Sequence, residues 1–111
     1  IVRHRGKITA AIANARAVGA LREAGTSLEQ VVWSHAPVPR DAPLQHRSEI
    51  PSETPESADL ARALRGWGMR FVGATTVYAF MQAMGLVNDH QQACSARGDA
   101  LRLRADLTPP A

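Results

Sequence analysis

The stretch Leu64-Arg65-Gly66-Trp67-Gly68-Met69-Arg70-Phe71-Val72-Gly73-Ala74-Thr75-Thr76 decides the fold. Before it, Leu60, Ala61 and Leu64 recur at helical spacing. After it, Val77, Tyr78, Met81 and Met84 do the same, so the pattern predicts two helices joined by a tight glycine-flanked turn. Ser57 reads as the cap of the first helix, and Gly85 stops the second, which runs from Thr75. Glycine lets a backbone approach an anion closely, and a helix starting just beyond it aims free N–H groups at the same anion. The competing reading is an ordinary helix-helix corner with Met69, Phe71 and Val72 in the core, because glycine turns between helices are common.

Outward from that turn the chain continues to read as helix. From Lys7 to about Ala24 the residues Ile8, Ala11, Ile12, Ala15 and Val18 form one amphipathic stripe, with Gly25 as C-cap. Ser27 followed by Gln30 has the spacing of a capping box and opens a short helix through Leu28, Val31, Val32 and Trp33. Five prolines between Ser34 and Glu56 (Pro37, Pro39, Pro43, Pro51, Pro55) exclude a long helix there. Asn88 or Asp89 is read as the cap of a fifth helix that carries His90 and Cys94 and ends at Gly98. No segment shows the sustained alternation of a strand, so the class is all-α. At 111 residues there is room for one domain, placed at residues 1–95, with 96–111 read as a disordered tail ending in Thr-Pro-Pro-Ala.

Composition narrows the function classes. Arginine supplies twelve of the thirteen basic residues, and the net charge is +3, a mild bias toward a polyanionic partner. A single cysteine rules out an internal disulfide and fits a reducing compartment, so the cytoplasm is the expected location. No run of about 18 apolar residues is present, so no membrane span and no membrane partner are expected. The chain opens on Ile1 and its first methionine is Met69, which predicts further sequence upstream.

A general helix-hairpin-helix turn reads hydrophobic-Pro-Gly-Val-Gly, whereas Met69-Arg70-Phe71-Val72-Gly73 puts phenylalanine at the first glycine. That departure leads to one family. Arg70-Phe71-Val72-Gly73, then Tyr78-Ala79-Phe80-Met81-Gln82-Ala83, then Gly85-Leu86-Val87-Asn88-Asp89-His90 together resemble the C-terminal signature of the 3-methyladenine glycosylase I family. Ile1 to Ile8, Asn14 to Ala17, Trp33-Ser34 and Ser48 to Pro51 agree in order, so the resemblance covers roughly residues 1–94. His35, the Pro37 to Arg47 loop and Gly66-Trp67, which stands where a basic pair is usual, depart from the pattern.

The resemblance implies an incomplete helix-hairpin-helix glycosylase fold whose N-terminal helices are missing. It also implies a monofunctional enzyme that flips 3-methyladenine out of alkylated double-stranded DNA and hydrolyses its glycosidic bond, inactive as this piece and monomeric. The contacts to DNA backbone fall to Gly68, Met69, Arg70, Phe71, Val72, Gly73, Thr75 and Lys7. No catalytic residue is assigned, because the family's pocket lies upstream. Asp89 reads as a helix cap, the alternative being the catalytic carboxylate of the wider superfamily. His90 and Cys94 match two ligands of the family's structural zinc site, the other two preceding residue 1. From the residues alone, His-x-x-x-Cys is more often a surface histidine and a thiol. Trp33 and Tyr78 read as core. The alternative function is a non-enzymatic helix-hairpin-helix DNA-binding module.

Overall fold

Thr54 begins the first arm of the central helix pair: its hydroxyl accepts from the Ser57 amide at 3.2 Å while the Ser57 hydroxyl accepts from the Thr54 amide at 2.9 Å. Pro55 follows at the first helical position, where its missing N–H leaves no bond unmade. The cap is therefore Thr54, three residues earlier than Ser57, which is instead fully buried. The prolines that argued against helix across Ser34 to Glu56 hid this start, since Pro55 opens the helix.

A computed structural model describes residues 1, 3–40 and 42–110; Val2 and Asp41, and Ala111 at the end of the expected tail, lie outside the described residues. The described residues form α1 (Arg5–Glu23), α2 (Leu28–Ser34), a single 3-10 turn (Arg47–Glu49), α3 (Pro55–Gly66), α4 (Ala74–Ala83) and α5 (Ala96–Asp106). Among them there is no strand, only an isolated parallel bridge between Leu44 and Gln91. The all-α class holds. No described helix is long and apolar enough to cross a membrane.

The core lies between α3 and α4. Leu60, Ala61 and Leu64 meet Val77, Tyr78 and Met81, with Val32 from α2, Ala17 from α1, and Met69 and Leu86 from the two turns flanking α4. Leu60 and Met81 are fully buried, and each such side chain contributes roughly 2 kcal/mol of apolar burial. Tyr78 is a core residue as expected, and Trp33 packs on the core partly buried. Ser27 caps α2 by accepting from the Gln30 amide at 3.1 Å.

Three expectations are corrected. On α1 the buried residues are Ala10, Ala17 and Leu21, whereas Ile8 and Ile12 from the anticipated stripe stay about half exposed. Leu21 is fully buried and Val18, from the anticipated stripe, packs against the core partly buried, so the covered face is turned from the expected one toward the C-terminal half of the helix. No α-helix spans 88–95, and Asp89 caps nothing. Over Ala96–Asp106 the expected tail is helical: alanine, leucine and arginine are strong helix formers, and Asp99 pairs with Arg102 one turn on at 2.9 Å.

Candidate nucleic-acid interface and metal-ligand pair

The turn between α3 and α4 is built by its backbone. α3 ends with Trp67 as C-cap, and the amides of Gly68 and Met69 bond back to the carbonyls of Arg65 and Leu64 at 3.0 and 3.1 Å. Gly68 has φ +99, a conformation open to glycine and strained for other residues. Two residues beyond Met69, Phe71 adopts φ +59, so phenylalanine takes the left-handed conformation at the very position where a general hairpin carries glycine. The conformation costs about 1–2 kcal/mol for a residue with a Cβ. Bonds on both sides offset this. The Asn14 carboxamide accepts from the Arg70 amide at 2.8 Å and donates to the Arg70 carbonyl at 3.2 Å, and Arg65 Nη1 donates to the Val72 carbonyl at 3.3 Å. Each such bond is worth about 1 kcal/mol net.

This geometry gathers most of the anticipated interface. Gly68, Arg70, Phe71 and Gly73 are exposed on one short loop, with Val72 partly buried among them. Gly73 is the N-cap of α4 and offers no side chain to its first amides, while Thr75 is exposed in the first turn. Lys7 is exposed in the first turn of α1, and the start of that helix reaches the hairpin. The Phe71 ring lies edge-on to His4 with centroids 6.1 Å apart, and His4 in turn caps α1 by accepting from the Lys7 amide. Met69 is the exception. Its side chain is buried in the core, so only its backbone belongs to the turn. Of the alternative trio of core residues, Met69 is buried and Val72 packs against the core as that reading expects, whereas Phe71 is 59% exposed.

On the other side of α4, the segment 84–95 is held by side chains. Asp89 sits with its side chain only 6% exposed, one oxygen accepting from Arg40 Nη1 at 2.9 Å and the other from Tyr78 Oη at 2.5 Å and Gln82 Nε2 at 3.0 Å. Burial pushes the carboxyl upward, but the hydrogen bonds from Tyr78, Gln82 and Arg40, with the Arg40 charge, outweigh it and hold Asp89 below the ordinary aspartate value. Burial, then the bond to Asp89, pushes the Tyr78 phenol far above its usual range. A carboxylate so filled with donors is a poor base, and its position explains structure better than proton abstraction. It lines a cleft of about 940 Å³ between the proline-rich loop and α5.

His90 and Cys94 come together through a turn instead of a helix. Cys94 Sγ lies 3.5 Å from His90 Nδ1, the thiol is free and exposed, and the Cys94 amide bonds to the Gln91 carbonyl at 2.9 Å. The segment is pinned to the proline-rich loop by the Gln92 amide on the Leu44 carbonyl at 2.9 Å and by Gln45 on Gln92 at 2.7 Å. Among the described residues no three His, Cys, Asp or Glu stand close enough to hold a metal ion. Two roles went unread in the sequence: Asn14, 56 residues from its partner, and Arg40, whose pairing with Asp89 no local spacing signals.

Residues 1–97, which include the α3-α4 turn and the His90-Cys94 turn, match the methyladenine glycosylase family, and the chain belongs to it. Its relatives sharpen the placement. The chain is 47% identical over 97 residues to DNA-3-methyladenine glycosylase 1 of Escherichia coli (strain K12), covering 85% of this chain and 51% of that protein. It is 39% identical over 100 residues to the DNA-3-methyladenine glycosylase of Haemophilus influenzae, covering 87% and 53%. A crystal structure of 3-methyladenine DNA glycosylase I superimposes with a TM-score of 0.82 at 47% identity, over 87% of this chain and 54% of the other. The enzyme from Staphylococcus aureus, described as recognising 3-methyladenine, gives 0.79 at 28% identity, over 87% and 52%. The chain thus spans about half the length of the relatives it matches.

Proposed function

We propose that this chain is the hairpin-bearing half of a base-excision repair glycosylase that removes 3-methyladenine from alkylated double-stranded DNA. The observation that carries the reading is the α3-hairpin-α4 unit, in which an exposed glycine turn leads into an α4 start without a side-chain cap. Backbone amides there bind a phosphate through the helix dipole and free N–H groups, whatever the base sequence. Extruding a cationic, poorly paired base takes less unstacking energy than extruding a normal one, and water then breaks the bond between base and sugar to leave an abasic site. Residues of this chain hold the DNA backbone; none is assigned to the bond-breaking step. The protein acts as a monomer in the reducing cytoplasm, consistent with one free thiol.

Zinc fits the other turn as a structural ion. Bond lengths of about 2.3 Å to sulfur and 2.0–2.1 Å to nitrogen give a tetrahedral edge of about 3.5 Å, and the His90 to Cys94 separation is 3.5 Å. His90 and Cys94 would supply two ligands, and a bound ion would add folding energy. Titrating a form extended upstream with cobalt should bring up a thiolate charge-transfer band that Cys94→Ser abolishes; no band in that extended form would count against the site.

The interface is tested with Gly73→Asp. Aspartate is a strong N-cap, nothing lies within 4 Å of a Cβ at this position, and the added carboxylate occupies the place of the phosphate. Folding stability should rise by about 0.3 kcal/mol while duplex affinity falls at least tenfold in fluorescence anisotropy. Unchanged affinity would remove the hairpin from the interface. Release of 3-methyladenine from methylated duplex by a form extended upstream over the rest of the relatives' length, compared with this chain, tests the chemistry; binding by both with release by neither would favour the non-enzymatic module.

A further inference from the structure

Asn14 presents both ends of its carboxamide to one residue of the hairpin, receiving the Arg70 amide at 2.8 Å and giving a proton to the Arg70 carbonyl at 3.2 Å. Only one orientation of the amide satisfies both bonds, so the assignment of oxygen and nitrogen is fixed by its partners. Arg70 directly precedes Phe71, the non-glycine residue at φ +59, and the peptide between them sets where the next amides point. On α1, Asn14 lies two turns beyond Lys7, in the helix whose first turn meets the Phe71 ring near Gly6 and His4. The side-chain hydrogen bonds that join α1 to the hairpin, among the described residues, are those of Asn14.

We propose that Asn14 is a positioning residue for DNA binding: its carboxamide holds the Arg70 backbone so that the amides of the hairpin and of the α4 start address a phosphate together with the basic first turn of α1. The inference rests on the proposed hairpin interface. Without the pincer, Arg70 and Phe71 sample other backbone angles, and the donors no longer converge on one anion. A residue that merely stabilised the fold would scale the bound fraction at every salt concentration alike. A residue that positions phosphate donors changes the salt dependence itself, by about one unit of slope for each phosphate that the protein ceases to neutralise.

The experiment measures duplex affinity by fluorescence anisotropy across a salt series for the unaltered chain, Asn14→Leu and Gly73→Asp, at a temperature where circular dichroism shows each folded. Asn14→Leu keeps the side chain's shape and removes both hydrogen bonds. It should bind about tenfold more weakly, with a shallower slope of log affinity on log salt. If Asn14→Leu does not fold, the comparison moves to Asn14→Leu with Phe71→Gly against Phe71→Gly alone, since glycine relieves the left-handed strain. Affinity equal to the unaltered chain, or weaker affinity with an unchanged slope, overturns the role of Asn14 while Gly73→Asp still reports on the hairpin. Absence of salt-dependent binding by the unaltered chain overturns the interface and, with it, this inference.

Discussion

The two turns that flank α4 are stabilised in opposite ways. Before α4, residues 67–73 are set through their main chain, by a left-handed glycine, a left-handed phenylalanine and the Asn14 and Arg65 side chains bonded to backbone, with most of the turn's own side chains directed to solvent. After α4, residues 84–95 begin with a left-handed Gly85 and are anchored chiefly by side chains: a buried carboxylate that gathers Arg40, Tyr78 and Gln82, and Gln92 paired with Gln45. A loop that offers its own backbone to a ligand must fix φ and ψ while leaving the amides free. A loop that offers two side chains needs only a rigid anchor behind them. The first kind tolerates substitution of its exposed side chains and is sensitive to backbone preference; the second behaves the other way round.

The largest expected effect breaks the second turn. Asp89→Ala leaves the Tyr78 hydroxyl and the Arg40 guanidinium without their acceptor, and should destabilise the chain by about 2–3 kcal/mol, below the range for a fully buried pair because Arg40 is 40% exposed. Urea unfolding measures it, and a loss under about 1 kcal/mol would mean that the donors find other partners. The first turn should answer to backbone. Phe71→Val puts a β-branched residue at φ +59 and should be less stable than Phe71→Gly by about 1–2 kcal/mol, although valine is the closer match in character. Equal stabilities would show that the left-handed conformation relaxes at no cost.

A smaller effect is pH dependence. Folded Asp89 binds its proton less tightly than the unfolded chain does, so its contribution is present above about pH 4 and is lost as pH falls through the lower folded value. Folded Tyr78 holds its proton more tightly than the unfolded chain, so its contribution is present at neutral pH and is lost as pH rises beyond about 10. Unfolding at pH 3 and pH 6 should therefore differ less in Asp89→Asn than in the unaltered chain; identical differences would exclude Asp89 as the source. The smallest effect lies outside both turns. Asp99→Ala removes the exposed pair with Arg102 on α5 and should change stability by less than about 0.5 kcal/mol in the same assay.

How much could be read in the sequence follows the same division. The hairpin was legible because glycine spacing and flanking helical periodicity are local signals, and the family's Arg70-Phe71-Val72-Gly73 run lies within it. The left-handed Phe71 was legible only as a departure from a pattern. Asn14 and Arg40 were not, since each acts across a long stretch of chain on a single partner. The periodicity of α1 identified a helix but named its outer face, because Ile8 and Ile12 outrank Ala10 and Ala17 in hydrophobicity and a sequence does not say which face is covered. Around His90 and Cys94 the spacing of four suggested a helix; a turn achieves the same proximity. At α5, capping and terminal cues pointed to a tail and outweighed the helix propensity of Ala96 to Ala105.

α5 has no buried residue, and its described ties to the rest are few: the Asn88 side chain donating to the Arg97 carbonyl, and the Arg104 guanidinium 4.7 Å from the centre of the Trp33 ring. A helix so attached opens far more often than the α3-α4 core unfolds, so its amides exchange with solvent hydrogen on a separate and faster clock. Each opening lifts a cation from the indole face. The emission of Trp33 therefore reports the coming and going of the last helix while the rest of the molecule stays folded.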